Sequence, residues 1–103
     1  MAAESDDLLH PEARTELREA VAWYRGKGAG AMAFVAQITR IIDDLVRGPK
    51  RWPALRNVSP LIRYRVLPKK HPYTIFYRET ATSILILAFA HQKRQPLYWV
   101  YRH

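Results

Sequence analysis

The apolar run at residues 83–90 constrains this chain more than any other stretch. It is far too short to span a bilayer, which takes about 20 residues as a helix. Ile84, Leu85, Ile86, Leu87 and Phe89 put apolar groups on both faces of any strand they form. Such a strand is expected in the middle of its sheet. Residues 73–78, aromatic and β-branched, supply a neighbour, joined to the run by the polar turn Glu79-Thr80-Ala81-Thr82 in a hairpin pattern. Past the run come His91-Gln92-Lys93-Arg94-Gln95-Pro96, an imidazole, two cations and a proline at the exit of a buried strand. Chemistry is to be sought at that exit.

The preceding chain reads as a helix pair and a strand. Pro11 suits the first position of a helix, Glu12 favours its positive end, and Leu17, Ala20, Val21 and Tyr24 recur at helical spacing, so residues 11–25 form an amphipathic helix. The glycines at 26, 28 and 30 make a helix–helix turn; no strand precedes them, as a phosphate loop requires. A second helix covers residues 31–47 with Phe34, Ile38, Ile41, Ile42 and Leu45 in one stripe, stopped by Gly48-Pro49. Asp43 and Asp44 near its end point in different directions and read as a solvated helix end. Residues 48–60 carry three prolines and form a connector anchored by Trp52 and Leu55. Residues 61–67 then alternate, with Ile62, Tyr64 and Val66 on one face and Arg63 and Arg65 on an open one. Residues 98–102 are read as extended, pairing with the sheet or lying across it. Leu8, Leu9 and His10 form a short first strand, and residues 1–7 are frayed. The expected architecture is α+β: a short N-terminal strand and a two-helix hairpin on an antiparallel sheet of three to four strands, one domain over residues 1–103.

Three groups of residues, His10-Pro11-Glu12-Ala13 with Glu16-Leu17 and Trp23-Tyr24, Pro72-Tyr73 with Tyr77-Arg78, and Ala90-His91, Arg94, Pro96 and Trp99, resemble the RelE/ParE family of type II toxin–antitoxin toxins. The resemblance implies the same fold and one of two activities, inhibition of DNA gyrase or ribosome-dependent cleavage of messenger RNA. The Pro-Tyr, Tyr-Arg and His-x-x-Arg-x-Pro-x-x-Trp spellings are closer to the ParE side. It also implies a cognate antitoxin as partner.

Charge agrees with such a partner. Residues 1–45 hold five Lys or Arg against eight Asp or Glu, whereas residues 46–103 hold twelve against one. So one-sided a half-chain favours nucleic acid or an acidic protein segment. There is no cysteine, hence no disulfide and no thiolate zinc site, and the acidic N-terminus does not read as a secretory leader. A cytoplasmic protein without cofactor or metal, and without a membrane role, is expected.

RNA cleavage needs a base, an acid and cations for the charge building on phosphorus. Cations abound, in Arg63, Arg65, Lys69, Lys70, Arg78, Lys93 and Arg94, but Glu79 is the one carboxylate of the second half. His91 is therefore the proton-transfer candidate, and Arg94, Arg65 and Tyr98 complete the nuclease alternative. The competing reading makes His91 a cap on the strand exit. Arg94 is open to a phosphate, an antitoxin carboxylate or backbone carbonyls. Trp99 is expected in the core, while Tyr98 and Tyr101 serve either the core or base stacking. Arg63, Arg65, Arg78, Lys93, Arg94, Tyr98, Tyr101 and Arg102 are the candidate contacts to antitoxin or target.

Overall fold

The computed structural model describes residues 8–28, 30–68 and 70–102. The fraying expected of residues 1–7 and the place of Lys69 in the cationic patch lie outside them. Two helices, α1 (Pro11–Gly26) and α2 (Ala31–Arg47), lead through a 3-10 turn (Pro49–Arg51) to β1 (Arg63–Val66), β2 (Tyr73–Glu79) and β3 (Ile84–His91). Helix α1 starts where Pro11 costs no hydrogen bond, and the Nδ1 of His10 accepts the N–H of Glu12 at 3.1 Å. Gly28 and Gly30, at φ of 76° and 85°, turn the chain through the left-handed region into α2. The α2 stripe of Phe34, Ile38, Ile41, Ile42 and Leu45 is buried as its spacing predicts. Asp43 pairs with Arg47 one turn on, at 3.1 Å, on the exposed face.

The sheet is antiparallel in the order β1-β2-β3. The apolar run is thus not the middle strand; β2 is. Burial on both faces has another cause: helices cover one side of β3 and residues 97–102 cover the other. The outer margin of β3 is also occupied. Ile86 donates its N–H to the carbonyl of Leu8 at 2.7 Å and accepts the N–H of His10 at 2.9 Å, so the expected first strand is a single parallel bridge at Leu9.

A bulge sits in β3. Phe76 faces Ala88 and Tyr77 faces Ile86, which leaves Leu87 as the extra residue. Before it, Ile84 and Ile86 face the helices; after it the parity flips, and Phe89 does. Leu87, Ala88 and Ala90 join Ile62 and Trp99 in a second cluster on the opposite face.

Two expectations are corrected here. The arginine face of β1 is not open: Arg63 and Arg65 lie beside Tyr77 and Ile75 on the helix side of the sheet. The connector folds over them. Arg63 donates to the Trp52 carbonyl at 2.7 Å, the Arg65 guanidinium lies 4.2 Å over the Trp52 ring, and Ala54 bridges to Arg63. Residues 98–102 are not extended either. They turn tightly across the second face, where Trp99, 1% exposed, stacks on Phe76 at 4.4 Å.

Candidate functional site

Where α1 passes over the exit of β3, a cleft of about 490 Å³ opens between them. The bulge creates it by turning Phe89 to the helix side, where that ring stacks on Tyr73 at 4.6 Å to form an apolar floor with Ala20. Glu16, Glu19, Trp23 and Tyr24 make the helix wall; Lys70, Pro72, His91 and Arg94 make the other. Trp23 stands 56% exposed at the rim.

Glu16 organises one end. Its Oε1 accepts the N–H of Phe89 at 3.0 Å and Arg102 Nη1 at 2.9 Å, while Oε2 accepts the Tyr98 hydroxyl at 2.5 Å and Arg102 Nη2 at 3.2 Å. Arg102 also donates to the Leu87 carbonyl at 3.0 Å and lies 2.8 Å from Glu12, to which Tyr101 donates in turn. Arg102, expected among partner contacts, is therefore an internal tie with its side chain 5% exposed. Glu16 was read from the sequence only as part of the family spelling, and a carboxylate two turns into an amphipathic helix gives no warning of such a network.

His91 sits at the strand end with its Nδ1 accepting the N–H of Lys93 at 3.0 Å, the capping arrangement. Arg94 lies exposed with its guanidinium 3.9 Å over the Tyr98 ring. Burial first, and then the bond to Glu16, hold the Tyr98 phenol well above its ordinary pKa. His91, Arg94 and Tyr98 thus gather at one place. Arg65 does not join them: it pairs opposite Ile75, which pairs opposite Phe89, so two strand spacings, about 10 Å, intervene. Arg63 is likewise remote. Arg78 faces Leu85 on β3 and Lys93 is exposed in the exit turn. Among the described residues no group of three His, Cys, Asp or Glu could hold a metal, and no helix is long and apolar enough to cross a membrane.

The far end of the cleft holds a titrating pair. Tyr24 and the Nδ1 of His71 are 2.7 Å apart, and burial with Lys70 nearby lowers the His71 pKa. Tyr24 is shifted upward by burial, so its hydroxyl is the donor and the imidazole the acceptor. The unfolded chain then takes up a proton at His71 near pH 6.5 while the folded chain resists, so stability is complete above that pH and falls as pH drops below it. Wild type should lose more melting temperature between pH 7.5 and 5.5 than His71→Gln, which keeps an acceptor but does not titrate. Equal losses would mean that the pair does not couple to folding.

A helix hairpin on a small antiparallel sheet, with an aromatic cleft rimmed by the exposed cations Lys70 and Arg94, is the build of a small RelE/ParE-like protein. Residues 8–96 match the family model described as ParE toxin of type II toxin-antitoxin system, parDE, and the chain belongs to that family. Membership implies a cognate antitoxin. No curated protein and no solved structure matches the chain.

Proposed function

We propose that this toxin acts by contact on DNA gyrase and is held inactive by an antitoxin that brings an acidic amphipathic segment to its basic half. The observation that carries the reading is the state of the proton-transfer candidates. His91 Nδ1 is engaged by backbone, Tyr98 has given its hydroxyl to Glu16, and both oxygens of Glu16 are bonded. A nuclease needs an acid and a base free to exchange protons. The convergence of His91, Arg94 and Tyr98 at the cleft mouth is what favours the second reading, messenger RNA cleavage on the ribosome.

Supercoiling by gyrase and messenger cleavage on programmed ribosomes separate the two, using wild type, His91→Ala and Arg94→Ala first compared for thermal stability. Wild type is expected to block supercoiling and leave messenger intact, with His91→Ala changing inhibition only as far as it lowers stability. Ribosome-dependent cleavage that falls about 10²-fold or more in a stable His91→Ala protein, with supercoiling untouched, would make the chain an enzyme.

A further inference from the structure

The cleft carries information about the segment that fills it. Its floor, Tyr73 stacked on Phe89, is apolar, and Trp23 at the rim leaves more than half its surface to solvent. Its volume of about 490 Å³ lies within the range of pockets that bind discrete groups, roughly 300–1,000 Å³. Both lining cations are exposed, and among the described residues neither Lys70 nor Arg94 has a carboxylate within 4.0 Å. They mark opposite ends. Arg94 rests on Tyr98, which bonds Glu16, whereas the Lys70 carbonyl lies 3.5 Å from the Tyr24 hydroxyl. From residue 16 to residue 24 a helix rises about 12 Å.

An extended segment covers that distance in roughly four residues, and its alternate side chains share one face. We propose that the cleft receives an extended partner segment in which one large apolar side chain is flanked, two residues away on each side, by a carboxylate. The apolar group lies on Tyr73 and Phe89 beneath Trp23, and the two carboxylates meet Lys70 and Arg94. Glu19 on the helix wall then faces backbone N–H groups of the segment. Between the two cations the floor is apolar, a place for a hydrophobic side chain and not for a continuous run of phosphates, which is why a peptide and not a nucleic acid is the occupant. The assignment rests on the antitoxin reading above, and gives that partner's acidic segment a pattern.

The test uses the intact protein and short fluorescent peptides with the cores Glu-Ser-Phe-Ser-Glu, Glu-Ser-Ser-Ser-Glu and Lys-Ser-Phe-Ser-Lys. The first is expected to bind; Lys-Ser-Phe-Ser-Lys should bind about tenfold more weakly or worse through loss of two exposed ion pairs, and Glu-Ser-Ser-Ser-Glu about tenfold more weakly or worse through loss of the buried ring. Lys70→Glu/Arg94→Glu should reverse the charge preference and favour Lys-Ser-Phe-Ser-Lys. Both side chains are exposed, so the variant is expected to fold, and its melting curve checks that. Trp23→Ala should weaken the two Phe-containing peptides and leave Glu-Ser-Ser-Ser-Glu nearly unchanged. Binding that ignores the peptide's charge, no reversal in the folded double variant, or stronger uptake of a short RNA at the same residues would each overturn the proposal. Failure here is separable from failure of the antitoxin reading. A cognate antitoxin that binds but neither competes with the peptide nor responds to the double variant sinks the cleft assignment alone.

Discussion

Ile86→Asp is expected to yield no folded protein. The side chain is 1% exposed in the cluster beneath α1 and α2, and its backbone holds both hydrogen bonds that bring residues 8–10 onto β3. A carboxylate there is either desolvated or protonated, and either state costs several kcal/mol. A domain of this size has about 5–15 kcal/mol to lose. Ile86→Val, which removes a single methyl group, should cost about 0.5–1.5 kcal/mol and remain folded, so the pair isolates the charge from the change of shape. Recovering Ile86→Asp as a soluble protein that unfolds cooperatively at neutral pH would contradict the placement of this residue in the core.

Glu16→Ala should be the most damaging change at a position outside the hydrophobic clusters. It leaves Arg102 enclosed with only Glu12 opposite, and removes the acceptors of Phe89 N–H and the Tyr98 hydroxyl. Breaking one side of a buried pair typically costs about 3–5 kcal/mol, because the other charge stays behind. Urea unfolding should show that loss. Glu16→Ala/Arg102→Met should recover part of it by taking away the stranded charge, a non-additivity that a loss of helix propensity would not produce. Since Tyr98 carries Arg94, the same change should loosen the mouth of the cleft. A Glu16→Ala protein within about 1 kcal/mol of wild type would mean the network contributes no more than a surface pair.

These two positions also divide what the sequence could and could not tell. The α2 stripe, the proline start of α1 and the hairpin followed from periodicity and local stereochemistry, which act over a few residues, and the burial of Trp99 from the need of so small a protein for large side chains in its core. The family and its fold were legible through the resemblance that short groups such as His10-Pro11-Glu12-Ala13, Pro72-Tyr73 and Ala90-His91 carry along most of the chain. Strand order was not: an apolar run reports burial of both faces and is silent about what lies at its edges, so β3 was placed in the middle. The bulge at Leu87 was invisible for a related reason, because nothing in a run of Ile, Leu and Ala marks where parity flips. Yet that flip decides that Phe89 faces the cleft. Arg63, Arg65 and Arg102 were assigned outward because arginine usually is; Arg63 found the Trp52 carbonyl, Arg65 the Trp52 ring, and Arg102 the Leu87 carbonyl and Glu16, contacts from distant segments that only the closed fold supplies.

The bookends of β3 have a consequence for how the free chain behaves in a crowded solution. An unpaired strand margin is a template on which another chain can polymerise. On β3 much of that margin is taken: residues 8–10 bond Ile86, Glu16 takes the N–H of Phe89, and Arg102 takes the Leu87 carbonyl. On β1 the connector covers Arg63 and Tyr64 through the bridge at Ala54 and the Pro53 carbonyl. The short end of β1 near Val66 is followed by Leu67 and then Pro68, a residue without an N–H. A chain closed in this way is guarded against self-templated aggregation even when its partner has gone.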